Sequence, residues 1–250
     1  VFKKKPFVRF VNLLPGVLES HPIEKAGEVK YNWLTSMAKD FKQREKVTPA
    51  NEVTGSGSRC PGITEYVKQG YIVTAPMDFT VTTTNNPDEQ PKVDWYGPRN
   101  TPGQAYVSFH SPPQLTNFMP VREGTSKWVL KVNTYWRYNC SDDVLLLQLP
   151  IGYNDNPEFT ASHGLLDPRW GCEINVQIFW HKLGGTTLIE AGTPLMQLIP
   201  IPRDYAVNMM LDQPNEKDLY INQAWAYANT RKFKRNMKEF YEVAKRVLKR

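Results

Sequence analysis

The stretch His163 to Arg203 reads HGLLDPRWGCEINVQIFWHKLGGTTLIEAGTPLMQLIPIPR. Its centre, Cys172 to Trp180, alternates so that Ile174, Val176 and Ile178 share one face, the two-residue period of a strand with one buried side. An Asp167-Pro168 turn leads into it, and Gly184-Gly185 ends it where a hairpin needs residues with positive φ. A second strand is predicted over Thr186 to Glu190, closed by Ala191-Gly192. The third, Pro194 to Ile201, is almost continuously apolar, which is the composition of a strand covered on both faces.

Outward from this stretch the β pattern continues. Tyr71 to Thr84 is rich in Val, Ile, Thr and aromatics and is predicted as a strand bent at Pro76. Asn85 to Pro91 is a polar turn, and Val93 to Tyr96 returns as its hairpin partner. Tyr106 to Phe109, Lys127 to Tyr138 and Val144 to Leu149 are predicted as further strands. Near the amino end, Phe7, Arg9 and Val11 would face one way and Val8, Phe10 and Asn12 the other, so a strand there carries apolar residues on both sides and calls for a partner strand or chain.

Two helical segments flank this body. Trp33, Leu34, Met37, Ala38 and Phe41 fall at helical spacing within Glu28 to Lys46, and Pro61 opens a short helix that Gly70 ends. After Pro202 the chain turns polar, and Asp218 to Arg250 reads as a helix with an apolar stripe that includes Phe233, Met237, Phe240, Tyr241 and Val247. Of the +6 net charge, Arg231 to Arg250 supplies nine Lys or Arg against two Glu, hence +7, leaving the rest near −1. Such a tail permits nonspecific, salt-sensitive contact with nucleic acid, but its apolar stripe fits a protein groove better. The expected layout is an arm and helix over 1–58, a β body over 59–203, and a linker with a basic amphipathic helix over 204–250.

Composition narrows the function. No run approaches the roughly 18 apolar residues of a membrane span, and VFKKKPFVRFVNLLPG lacks the apolar core and cleavage site of a signal peptide. Cys60, Cys140 and Cys172 have no metal-like spacing and read as reduced structural thiols. His110, His163 and His181 fall near strand ends, where with Asp167 they could approach one another, yet no pair has the His-x-His spacing expected of a cupin-like metal enzyme. No metal or cofactor is expected. Gly55-Ser56-Gly57-Ser58 lacks the Lys and Ser/Thr of a phosphate loop.

The order of turn, strand, hairpin and Gly192-x-x-x-x-Gln197-Leu198 resembles the carboxy-terminal half of the trimeric dUTPase and dCTP deaminase superfamily. Leu166-Asp167-Pro168-Arg169-Trp170 matches the turn that precedes the deaminase's catalytic strand, with Arg169 in place of Gly. The resemblance implies a β-clip-like fold, a trimer, and nucleotide contacts at Asp167, Trp170, Gln177 and Gln197. However, the position of the catalytic Glu falls on Gln177, which cannot act as acid or base near neutral pH. The Arg-Ser-Ser phosphate site is missing from Pro150 to Ser162, and the carboxy-terminal residues do not read as the Gly-rich, Phe-bearing arm of a dUTPase. Asp167 is then expected as a turn former, Gln197 as bonded to neighbouring backbone, and Trp170 and Trp180 as core or interface aromatics.

Cys60-Pro61-Gly62-Ile63, Pro150-Ile151-Gly152-Tyr153, Gly164 to Asp167 and Ala191 to Pro200 together form a pattern similar to an uncharacterised family of phage and marine bacterial proteins. The resemblance implies a phage setting without an activity. The sequence therefore points to a mainly β protein, with a β-clip-like or jelly-roll body, a helical amino-terminal insertion and a carboxy-terminal helix. Its expected role is that of a non-enzymatic phage structural or assembly protein, in the virion or host cytoplasm, that associates with itself and with other phage structural proteins. The alternatives are a nucleotide-binding or nucleotide-metabolising protein and a cupin-like metal enzyme.

Overall fold

The structure, a computed structural model, describes residues 5–48, 55–96, 105–153, 156–204 and 210–222. The chain divides into two compact units, 1–204 and 205–250. The first is mainly β. In chain order it contains β1 (Val8–Asn12), α1 (Val17–Ser20), β2 (Glu24–Lys25), α2 (Asn32–Val47), α3 (Pro61–Tyr66), β3 (Tyr71–Thr74), β4 (Phe79–Thr83), β5 (Lys92–Trp95) and β6 (Val107–His110). Then follow β7 (Val129–Cys140), β8 (Val144–Leu149), β9 (Phe159–Ala161), β10 (Gly164–Leu166), β11 (Glu173–Trp180), β12 (Gly185–Ile189) and β13 (Pro194–Pro202).

These strands form three antiparallel sheets. One runs β1-β7-β11-β9, with β6 also paired to β7; the second runs β10-β8-β13-β3-β2; the third is β12-β4-β5. The alternation read in β11 holds: Ile174, Val176, Ile178 and Trp180 are all buried while the residues between them are half-exposed. Each such side chain contributes about 1.5–3 kcal/mol by leaving water, so a one-residue slip of β11 against β7 would expose the whole set. Register is fixed accordingly, with Val176 opposite Val132 and Ile178 opposite Leu130.

β13 is the centre of the second sheet, paired with β8 on one side and β3 on the other. That placement explains its continuous apolar run, since Leu195, Met196, Gln197 and Leu198 are all buried. The core joins β13, β3 and β4 to β6, β7, β8 and β11 through Val73, Phe79, Tyr106, Leu130, Leu146 and Ile174.

Two elements differ from the sequence reading. Gly184 and Gly185 do have positive φ, at 74° and 106°, but they do not fold β12 back on β11. β12 pairs instead with β4, Thr187 opposite Val81. The cause lies at the turn: Gly184 N–H donates to the Thr84 carbonyl and the Thr83 hydroxyl donates to the Lys182 carbonyl, drawing the chain to the third sheet. A Cβ on Gly184 would lie 2.4 Å from Asn85 Oδ1, so a side chain there would have to displace the Asn85 amide as well as adopt the left-handed φ that Gly takes freely. Likewise, Tyr71 to Thr84 is two strands in two sheets. Pro76 has no N–H for a ladder, and the chain leaves β3 there and re-enters as β4.

α2 presents the expected stripe, with Phe41 buried and Trp33, Leu34, Met37 and Ala38 half-buried. The Arg59 guanidinium covers the Phe41 ring at 3.8 Å from its centroid and pairs with Glu45 at 2.8 Å.

In the second unit, residues 216–222 are helical. Asn215 caps this segment: its Oδ1 accepts from Lys217 N–H and Asp218 N–H, and Asp218 Oδ2 accepts from Asn215 N–H. The expected docking residues Phe233, Met237, Phe240, Tyr241 and Val247 lie outside the described residues. No described helix is long and apolar enough to cross a membrane.

Candidate functional site

The turn between β10 and β11 is built on Asp167. Its carbonyl accepts from Trp170 N–H and its Oδ1 accepts from Arg169 N–H at 3.0 Å, the local pattern that makes Asp a turn former. The carboxylate does more than this. Arg203, at the end of β13, donates to it through both terminal nitrogens, Nη1 to Oδ2 at 2.5 Å and Nη2 to Oδ1 at 3.0 Å. Arg169 adds Nη2 to Oδ2 at 2.7 Å and Nε to Oδ1 at 3.2 Å.

Hydrogen bonds from Arg203, then from Arg169, hold Asp167 far below the usual carboxylate range and raise Arg203 in return. Arg203 also donates from Nε to the Asp142 carbonyl and from its backbone N–H to the Asp143 carbonyl. One guanidinium thus ties β13 to the β7–β8 turn and to the β10–β11 turn. Both carboxylate oxygens of Asp167 are thus engaged by groups of its own chain.

Gln177 lies half-buried on β11. Its Oε1 accepts from the Ser162 hydroxyl at 3.3 Å, and its backbone carbonyl accepts from Ser162 N–H at 2.8 Å. Gln148, fully buried on β8, donates from Nε2 to the Ser162 carbonyl at 3.0 Å and lies 3.2 Å from its hydroxyl. The result is a neutral network joining the first and second sheets, which satisfies buried polar groups without an ionisable one. Gln197 is equally committed: its Nε2 donates to the carbonyls of Gln69 at 2.7 Å and Tyr66 at 3.3 Å, fastening the end of α3 to β13.

Trp180 is core, but Trp170 is not. It stands 88% exposed on the turn, because the Asp167 clamp fixes the backbone and leaves the indole with nothing to pack on. Asp167, Gln177 and Gln197 therefore serve three separate networks. Arg203, Gln148 and Ser162 are the members that sequence reasoning missed. Gln148 alone carried a signal, as the one polar residue in VLLLQL.

The His181 ring lies between two hydroxyls, Nδ1 2.8 Å from Thr125 Oγ1 and Nε2 2.8 Å from Thr160 Oγ1. Among the described residues no three His, Cys, Asp or Glu side chains are grouped to hold a metal ion. Burial, then the charge of Arg122, lowers the His181 pKa. The folded state thus favours the neutral ring, and its contribution to stability is complete above the unfolded value of about 6.5 and lost as pH falls below it. His181→Gln is expected to flatten stability between about pH 5 and 7, read as urea midpoints across that range; an unchanged pH slope would contradict this. The three cysteines are free thiols, with Cys140 buried, Cys172 half-buried and Cys60 exposed.

The fold class and these networks define a mainly β protein whose best-marked turn is an internal clamp. Comparison with known proteins finds no matching family model, no matching curated protein and no matching solved structure.

Proposed function

We propose that this chain is a non-enzymatic structural or assembly protein of a phage particle, a β block that associates with copies of itself. The observation that carries the reading is the outward face of β1. Val8 and Phe10 pack on the core, whereas Phe7, Val11 and Leu13 are 50%, 39% and 54% exposed. Pairing with β7, extended by Phe7 to Ser141 and by Leu13 to Tyr135, holds the segment straight and keeps those three side chains in one row, with exposed Arg9 between Phe7 and Val11. Among the described residues β1 is also an edge strand, so its second row of backbone groups has no strand partner there. A fixed row that is apolar but for Arg9, beside such an edge, favours contact with another copy over solvation.

The engaged state of Asp167 and the neutral network at Gln177 support a role without nucleotide chemistry. Purified protein incubated with dCTP or dUTP is expected to release neither ammonia nor pyrophosphate, and to be recovered with purified particles. Product formation lost in Asp167→Ala would overturn the reading.

Gln177→Glu is expected to remain inactive. A carboxylate at this half-buried site joins the neutral side chains of Ser162 and Gln148, with Lys131 opposite it on β7, so it should cost about 1 kcal/mol at neutral pH. Burial raises the pKa of such a group, so the loss should shrink as pH falls through its folded value. A variant as stable as the parent at pH 8, or one that deaminates dCTP, would contradict this account of the network.

A further inference from the structure

The outward face of the first sheet gathers hydrogen-bond donors that take no part in the Asp167 clamp. In β7, Leu130 and Val132 are buried in the core, so Lys131 between them points outward. It lies opposite Ser108 of β6 on one side and Gln177 of β11 on the other. Ser108 sits between the core-packed Val107 and Phe109, and Gln177 between the buried Val176 and Ile178. All three side chains therefore stand in one row on the same face. His110, two residues beyond Ser108 and opposite Val129, shares that face at the diagonal position from Lys131, a separation that rings and long side chains span.

Charge on this sheet is unbalanced. Its five strands contain one carboxylate, Glu173, and that is paired with Arg137 at 3.1 Å. Lys131 has no ion-pair partner among the described residues, although it is half-buried, where an uncompensated cation is costly. Ser108 and His110 make no side-chain hydrogen bond among those residues, and Gln177 uses its Oε1 on Ser162 while its Nε2 donor has no acceptor there. Burial, then the Lys131 charge, lowers the His110 pKa, the sign of a nearby cation that no carboxylate of the sheet offsets.

The donor set selects the ligand. Lys131 Nζ and Gln177 Nε2 can only donate, and Ser108 Oγ and the His110 ring can donate as well. A planar carboxylate brings two oxygens and one charge. A phosphate group brings three oxygens in tetrahedral directions and up to two charges, which suits donors arriving from three adjacent strands and a cation beside a titrating ring. A nucleic-acid strand would call for a series of unpaired cations, and the next cation along β7, Arg137, is already taken by Glu173. We propose that this face binds one phosphate group, free or as a phosphomonoester, between Lys131, Gln177, Ser108 and His110.

The site is independent of self-association through β1. It is tested on the full chain by following imidazole C–H signals by NMR across pH at constant ionic strength, with His110 assigned from His110→Asn. Inorganic phosphate is expected to raise the His110 pKa by at least about half a pH unit, because a bound anion favours the charged ring, with a Kd on the order of 1 mM. His21, beside Gly192, should not move. Lys131→Gln should raise the His110 pKa without phosphate, by removing the nearby cation, and should abolish the response to phosphate. Because Lys131 points away from the core, this exchange leaves the fold in place. Gln177→Glu, which sets a carboxylate against the anion, should weaken phosphate at least about fivefold. Glycerol phosphate separates the two sources, binding more tightly than inorganic phosphate at an ester site and more weakly at a site for the free ion. Acetate and dimethyl phosphate, each with one charge, should bind at least about fivefold more weakly than either. A His110 signal that ignores phosphate, a response that survives Lys131→Gln, or binding of acetate or dimethyl phosphate as tight as that of phosphate would each overturn the assignment.

Discussion

Replacing Gly70 with Ala is expected to abolish recovery of folded protein or to lower its stability by more than about 4 kcal/mol. Gly70 closes α3 with φ 69°, and its carbonyl accepts from Ala26 N–H at 2.9 Å. A Cβ there would lie 1.9 Å from the Leu198 carbonyl oxygen, 2.8 Å from its carbon and 2.9 Å from Ile199 Cα. All three atoms are backbone of β13, the strand pinned between β8 and β3. No side chain can swing aside, so relief requires breaking the ladder of the second sheet. Gly124 is the control. It has φ 77° but nothing within 4 Å of its missing Cβ, so Gly124→Ala should cost only about 1–2 kcal/mol, the left-handed strain itself. Urea denaturation separates the two, and equal midpoints for both variants would refute the steric argument.

Trp180→Ala is expected to cost about 3–5 kcal/mol, the range for emptying a large aromatic site in a packed core. Trp180 is 1% exposed, stacks on Phe159 at 6.3 Å with planes 7° apart, and donates from its indole N–H to the Lys182 carbonyl at 2.7 Å. The contact carries β9, whose three residues pair, among the described strands, with the end of β11 alone. Removing the indole therefore leaves a cavity, one hydrogen bond fewer at the Lys182 carbonyl, which keeps the Thr83 hydroxyl as donor, and a weakened edge. Trp170→Ala, on the exposed turn, should change stability by no more than about 0.5 kcal/mol. A urea midpoint for Trp180→Ala within that same margin would show that the stack does not hold the first sheet.

The elements legible in the sequence are those in which side-chain chemistry repeats along the chain. β11 shows its buried face at every second residue, β13 shows burial on both sides, and α2 shows its stripe at helical spacing. What stayed hidden depends on contacts distant in sequence. β2, β9 and β10 are two or three residues long, too short for a period to show. The partner of β12 is set by Thr83 and Thr84, about a hundred positions away from Gly184. The Asp167 turn was legible, but its clamp was not, because Arg203 lies 36 residues further on and one Arg after a strand has no distinctive pattern. Gly152 is likewise ordinary in sequence until the Tyr66 ring is found 2.3 Å from where its Cβ would lie.

The two tests of steric and aromatic packing concern the body alone, whereas the proposed function concerns its outward face. The direct measurement is the molar mass of purified protein in solution by light scattering, for the parent chain and for Phe7→Ser, Val11→Ser, Leu13→Ser combined. The account predicts an oligomer of defined mass at micromolar concentration, unchanged by dCTP or dUTP, and a folded monomer when the β1 row is made polar. A parent chain that remains monomeric, or an oligomer that the triple substitution leaves intact, would contradict self-association through β1.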